Sequence, residues 1–198
     1  MGQAPGSRLQ GSGRVIALDT NLLVYAHRED SRWHEAAFRM VSQIAEGRGA
    51  WAVPWPCIHE FLAIVTHPCI YRPPTPLPLA LDQVSAWMES PSLVLLGESG
   101  GYWEHARALI EAGKVAGAQV HDARVAPLCL HHGVEELLTA DRDFSRFPDL
   151  EGPQSPRWLI RRLVADPAAS LPSASPAARS GRRRDWSNPT RCRTRRSL

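Results

Sequence analysis

At 198 residues, 43% apolar and 22% charged, the chain has the length and composition of one soluble globular domain. Its apolar runs are broken by charge, glycine or proline well short of a membrane span, and its first residues form no apolar signal core. No membrane segment or secretory leader is expected, and a cytoplasmic location is the default expectation. The net charge of +3 is unevenly spread: eight of the 23 basic residues and one of the 20 acidic ones fall from Pro167 onward, leaving −4 on the body and +7 on the tail.

Residues 1–13, rich in Gly, Ser and Gln, read as a mobile leader. Val15-Ile16-Ala17-Leu18 reads as a short buried strand ending on Asp19, with Thr20 or Asn21 expected to cap the helix that Leu22 to Ala26 begins. After the polar loop His27-Arg28-Glu29-Asp30, Ser31 is expected to cap a helix to about Glu46. Its core stripe holds Trp33, Ala36, Ala37, Met40, Val41 and Ile44. Ala50 to Val53 is the second strand, closed by Pro54 and Pro56. A helix from Cys57 to about Thr66 follows, with Glu60 in its first turn and off its apolar stripe.

Five prolines between Pro68 and Pro78 predict a rigid extended loop before a helix over Leu79–Met88. Leu93–Leu96 is the third strand. Tyr102–Ala112 is an amphipathic helix with Trp103, Ala106, Leu109 and Ile110 inward, and Val120 to His131 is read as one further helix. Gly133 ends that helix, and Glu135–Thr139 is the fourth strand. Trp158–Val164 reads equally as an edge strand or a helix. Strands alternating with helices predict an α/β fold, a three-layer α/β/α sandwich with a mostly parallel four- or five-stranded sheet. The domain spans 14–166, and a disordered tail rich in Arg, Pro and Ser spans 167–198. Cys57, Cys69, Cys129 and Cys192 show no paired CxxC spacing, so no zinc site is expected.

The chemistry lies in the acids. Asp19 follows strand one, Glu60 and Asp122 stand near helix starts, and Asp141 and Asp143 follow strand four. Parallel strands place all their strand-to-helix corners on one sheet edge. Carboxylates gathered there at ~4 Å repel by about 4 kcal/mol per pair at an effective dielectric near 20. A hard divalent cation relieves that repulsion, and oxygen-only ligands point to Mg²⁺ or Mn²⁺ rather than zinc. Such an ion lowers the pKa of a bound water and grips a phosphate oxygen, which implies phosphodiester hydrolysis. Thr20 and Thr139 offer hydroxyls that can steady a ligand carboxylate or a metal-bound water. Read singly, each acid is also an ordinary helix cap facing solvent.

Four ordered motifs resemble PIN-domain ribonucleases, in particular VapC-type toxins of type II toxin–antitoxin pairs. Asp19-Thr20-Asn21-Leu22-Leu23-Val24-Tyr25-Ala26 is similar to the family's first motif, and Val53-Pro54-Trp55-Pro56 with Glu60-Phe61-Leu62 to its second. His121-Asp122-Ala123 resembles the third, and Leu138-Thr139-Ala140-Asp141-Arg142-Asp143 the fourth. The resemblance runs from about Val15 to Leu150. It implies a Mg²⁺- or Mn²⁺-dependent endoribonuclease, a homodimer restrained by a VapB-like antitoxin, with tRNA or rRNA as substrate.

By position, Asp19 and Asp122 look like the central metal ligands and Glu60 a third acid that ligates or acts as base. The fourth is Asp141, nearest the strand end, or Asp143. Thr20, Asn21 and Thr139 are the supporting residues. A non-catalytic RNA- or partner-binding module of the same fold is the alternative. A haloacid-dehalogenase-type phosphatase also begins with a strand-end Asp, but needs a second Asp where this chain has Asn21.

Arg28, Arg124 and Arg142 are candidate phosphate contacts, and equally candidates for pairing with nearby acids. His59 and His121 flank two of the acids. Trp55, between two prolines and near Glu60, is the one tryptophan read as able to stack a base rather than only pack. The tail reads either as an arm that holds RNA by charge where the acidic body cannot, or as an extension with no role. Deleting residues 167–198 should weaken RNA affinity and flatten its dependence on salt; titrations at several salt concentrations giving equal affinity and slope for both chains would remove that role.

Overall fold

A computed structural model describes residues 15–117, 119–140 and 159–162, with Asp122 and 159–162 described by backbone only. The expected leader and tail, together with Asp141, Arg142 and Asp143, lie outside the described residues.

The chain order is β1 (Ile16–Leu18), α1 (Thr20–His27), α2 (His34–Ala45), β2 (Trp51–Pro54), α3 (Trp55–Val65), α4 (Leu77–Met88), β3 (Leu93–Leu96), α5 (Tyr102–Ala112), α6 (Gln119–Asp122), α7 (Val125–His131), β4 (Glu136–Thr139) and β5 (Leu159–Arg162). The strands form one sheet in the order β3-β2-β1-β4-β5, with every neighbouring pair parallel. The segment left open between strand and helix is therefore a strand, paired along β4 at the sheet edge.

The inner strands are short and apolar because both of their faces are covered. Trp51, Ala52 and Val53 of β2 are fully buried, as are Ala17 and Leu18 of β1. On one side α1 packs against α2 and α3, and α3 against α4; separately, α5 packs against α7. Consecutive strand residues point to opposite faces, and Trp51, Ala52 and Val53 are all fully buried, so the sheet is covered on both faces, as a three-layer arrangement requires. Pro54 is tolerated in β2 because it occupies the strand's last position, level with Leu96 of β3.

Successive strands β1, β2 and β3 step toward one edge, while β4 and β5 lie toward the other. The direction of winding reverses between β1 and β4. At such a reversal the neighbouring loops part and leave a crevice at the carboxyl ends of the strands.

Several local expectations shift. The helix predicted over Val120–His131 is two helices, α6 and α7, separated at Ala123 and Arg124. Pro127 is the reason: with no N–H to donate, it fits the first turn of α7 but not the interior of one continuous helix. α2 starts at His34 rather than just after Ser31, whose hydroxyl instead accepts from the Trp33 N–H at 3.2 Å ahead of the helix. Trp103 is 64% exposed; α5 buries Ala106 and Leu109, and in its first turn the half-buried residue is Tyr102, edge-on to His131 of α7 at 6.2 Å.

The loop before α4 is tied to the end of α1. Arg28 pairs with Asp30 through two bonds, at 2.8 and 2.7 Å, donates to the Pro73 carbonyl and the Thr75 hydroxyl, and lies over the Tyr71 ring. His27 reaches the same Thr75 hydroxyl at 3.2 Å, and burial holds its pKa below the usual histidine value.

Phe61 joins α1, α3 and α4: it is fully buried, with its ring edge-on to Trp87 at 4.8 Å and to His27 at 5.3 Å. Phe61→Ala should cost about 3–5 kcal/mol through lost burial and the cavity left behind. In a domain of this size that corresponds to a fall in Tm of about 6–20 °C, readable by thermal unfolding. Phe61→Leu should lose much less.

Candidate active site

Asp19 is the first residue beyond β1 and sits in the crevice beside β4. Its backbone N–H donates to the Leu138 carbonyl at 3.0 Å, continuing the β1–β4 ladder by one residue. Its side chain is 5% exposed and is itself the cap of α1, accepting from the Thr20 N–H at 2.8 Å. The cap expected from Thr20 or Asn21 is thus supplied one residue earlier, which frees those two side chains for other contacts. A carboxylate at this place also meets the positive end of the α1 dipole.

The other carboxylate oxygen of Asp19 accepts from the Thr139 hydroxyl at 2.6 Å and from the Asn21 amide at 2.9 Å. Thr139 ends β4 and is fully buried. The Asn21 amide also donates to the Thr139 oxygen at 3.2 Å, while its carbonyl accepts from the Ala140 N–H at 2.9 Å. Asn21 therefore pins the first turn of α1 to the chain leaving β4. A hydrogen bond to an ionised acceptor contributes about 1.5–3 kcal/mol, so this ring of donors can sustain a charge that is otherwise costly to bury.

Thr20 turns the other way. Its hydroxyl donates to Glu60 Oε2 at 2.6 Å, so one residue contacts both acids, Asp19 through its N–H and Glu60 through its hydroxyl. Glu60 is exposed on α3, and the bond from Thr20 holds it at the start of α1 beside Asp19. Asp122 is the last residue of α6, a helix end rather than the start of a long helix. Among the described side chains, then, Asp19, Glu60, Thr20, Asn21 and Thr139 come together. Asp141, Asp143 and Arg142 lie outside them, as does the side chain of Asp122.

Of the arginines read as phosphate contacts or as partners of nearby acids, Arg28 pairs with an acid. The guanidinium of Arg28 is engaged by Asp30, Pro73 and Thr75 within its own loop. Arg124 is exposed and donates to the His121 carbonyl at 3.2 Å.

Sequence reasoning overlooked Cys57, whose thiol approaches Asp19 Oδ1 at 3.8 Å. The signal was available: Cys57 lies three residues before Glu60, the spacing of one helical face. Burial, and then the nearby charge of Asp19, push the thiols of Cys57 and Cys129 well above the usual cysteine range. Both remain neutral S–H groups, and the ionisable donors of the site are oxygens.

Residues 16–150 match the PIN domain family. The chain belongs to that family. It is 30% identical over 129 residues to ribonuclease VapC48 of Mycobacterium tuberculosis, covering 65% of this chain and 89% of the relative. It is 29% identical over 133 residues to ribonuclease VapC43 of the same organism, covering 67% and 90%. Among solved structures, VapBC2 from Rickettsia felis, bound to a DNA fragment from its promoter, aligns with a TM-score of 0.50 at 15% identity over 68% of this chain and 93% of that one. The sarcin–ricin loop cleaving toxin VapC20 of M. tuberculosis aligns at 0.50 and 14%, over 66% and 92%. Both show the PIN fold in the present chain, and none of its described helices is long and apolar enough to cross a membrane.

Thr139→Val keeps the shape of the PIN-domain core but removes the donor to Asp19. It should destabilise the fold by about 1–3 kcal/mol, seen as a lower urea midpoint with an unchanged slope. Thr139→Ser should recover most of the loss.

Proposed function

We propose that the chain is a metal-dependent endoribonuclease, the toxin of a toxin–antitoxin pair, which hydrolyses RNA phosphodiester bonds by activated water. The observation that carries this reading is the buried, donor-ringed Asp19 at the winding reversal, linked through Thr20 to Glu60 in a PIN-family chain. A carboxylate that only capped α1 would need the Thr20 N–H. It would not need two further side-chain donors drawn from α1 and β4.

The donor chemistry fits a hard cation. The gathered groups are carboxylates, hydroxyls and an amide, and the nearby sulfurs of Cys57 and Cys129 are neutral thiols. Asp19 and Asp122 are the proposed principal ligands of Mg²⁺ or Mn²⁺, with Glu60 and Asp141 or Asp143 completing the acidic set. When bound, the ion supplies charge neutralisation, a more acidic water and a grip on a phosphate oxygen.

The residues themselves orient the acids. Thr139 and Asn21 fix the plane of the Asp19 carboxylate, and Thr20 holds Glu60 toward it. Glu60, exposed and turned to the crevice, can take the proton of an attacking water. The relatives named as ribonucleases and the solved VapBC assemblies support RNA as substrate and a VapB-like antitoxin as partner. A homodimer acting in the cytoplasm completes the proposal.

Asp19→Asn and Glu60→Gln should each lower Mg²⁺- or Mn²⁺-stimulated cleavage of RNA by at least about 100-fold, of the order expected for losing an acid–base group. EDTA should abolish the wild-type activity and added Mn²⁺ should restore it. Cleavage that survives EDTA and is shared by all three proteins would overturn this assignment.

A further inference from the structure

Past β3 the chain crosses to α5 through Gly97-Glu98-Ser99-Gly100-Gly101, and three histidines hold that loop at alternate residues. His132 Nε2 bonds to the Gly97 carbonyl at 2.8 Å and His105 Nδ1 to the Gly101 carbonyl at 3.1 Å. Between them, His131 Nε2 and the Ser99 hydroxyl share a bond at 2.7 Å. A carbonyl only accepts, so His132 carries a hydrogen on Nε2 and His105 one on Nδ1. Gly101 turns the chain into α5 with a left-handed backbone, φ 87°, and the His131 ring lies beside it, since a Cβ there would meet His131 Cε1 at 3.6 Å.

The three rings come from two helices. His131 and His132 close α7, and His105 stands in the first turn of α5, so the loop and both helices meet at one point. The rings also lie against one another: the His131 centroid is 5.0 Å from that of His132 and 5.4 Å from that of His105. Tyr102 meets His131 edge-on from the start of α5. Neutral imidazoles pack at such distances without penalty, whereas imidazolium ions there repel.

The charges around the cluster do not cancel that repulsion. Among the described residues, no carboxylate forms an ion pair with any of the three rings. Glu104 of α5 favours a proton on His131, but burial, then His132 and His105, oppose it, and His131 stays below the usual histidine value. Glu98 of the loop and Arg124 ahead of α7 act with opposite signs on the Tyr102 hydroxyl, which burial keeps protonated.

We propose that His105, His131 and His132 form an acid-sensitive clamp, which fastens the 97–101 loop to α5 and α7 while its rings are neutral and loosens them when the rings take protons. The bonds to Gly97 and Gly101 outlast protonation, because those nitrogens already donate; release comes from repulsion between the rings. An opened or unfolded chain binds a proton at His131 more readily than the closed one does. The stability the clamp contributes is therefore complete above about pH 6.5 and is lost as the pH falls below it. The clamp stands whether or not the chain cuts RNA. In the ribonuclease reading it has one further consequence: α6, which ends at Asp122, lies in the chain between α5 and α7, so loosening that pair disturbs a proposed ligand.

The test is hydrogen–deuterium exchange of the full chain at pH 7.5, 6.5 and 5.5, corrected for the intrinsic effect of pH on exchange. Opening linked to one proton changes by up to about tenfold per pH unit, so corrected exchange over 97–105 should rise about 3- to 10-fold from pH 7.5 to 5.5. In His131→Gln, which keeps a partner for Ser99 but takes no proton, the rise should shrink to about twofold or less. His105→Gln, altered at an exposed ring, should shrink it in part, and it decides the matter should His131→Gln not fold. His27 provides the internal control. Burial holds it too below the usual value, beside Thr75 and Gln83, so acid should loosen 71–83 equally in all three proteins. A wild-type response absent from 97–105, or one undiminished in the histidine variants, would overturn the clamp. No RNA enters the measurement, so its outcome is independent of the ribonuclease reading.

Discussion

The short bond from the Thr139 hydroxyl to Asp19, 2.6 Å between two residues 120 apart in sequence, is the constraint on which the rest of the site depends. It joins the ends of β1 and β4, the two strands between which the winding reverses. A carboxylate buried there without donors would favour its protonated form or pull the strand end toward water. With Thr139, Asn21 and the Thr20 N–H around it, the same group can remain ionised and oriented within the crevice. The fold supplies the crevice, and these three neighbours keep a charge in it.

From that anchor the division of labour in α1 becomes intelligible. Because Asp19 caps the helix itself, neither Thr20 nor Asn21 is consumed by capping. Asn21 uses both ends of its amide to tie α1 to β4, and Thr20 uses its hydroxyl to hold Glu60. Three consecutive residues thereby connect β1, β4 and α3. Substitution at any one of them should therefore disturb the acids through their orientation, even where the altered side chain touches no substrate. The neutral thiol of Cys57 approaches Asp19 at 3.8 Å without adding a second negative charge.

Much of the architecture was legible in the sequence because parallel α/β structure has strong local signatures. The strand over Leu93–Leu96 and the helix over Tyr102–Ala112 match their predicted bounds, since an unbroken apolar run and a clean helical stripe leave little choice. What failed was governed by non-local facts. The break between α6 and α7 depends on where Pro127 falls within a turn, and a reading of apolar spacing alone passed over it. The exposure of Trp103 depends on which residue of the first turn of α5 meets α7, here Tyr102, which no periodicity reveals. The edge strand β5 needed its pairing with β4 to be identified, because four residues alone satisfy either period.

The candidate site shows the same division more sharply. That Asp19 and Glu60 share a crevice could be expected from topology, since both follow parallel strands at one sheet edge. Who holds them could not, because hydrogen-bond partners distant in sequence have no period. Asp19 looked equally like a cap or a ligand, and the structure shows that the first role prepares the second: the residue that caps α1 is held in position by its helix. The exposed indole of Trp55 extends the logic from charge to shape. Backbone fixed by Pro54 and Pro56 holds a part-exposed indole at the carboxyl end of β2, as backbone fixed by the α1 cap holds a carboxylate at that of β1. In both places rigid local devices, a helix cap and a proline pair, stand at the carboxyl edge of the sheet.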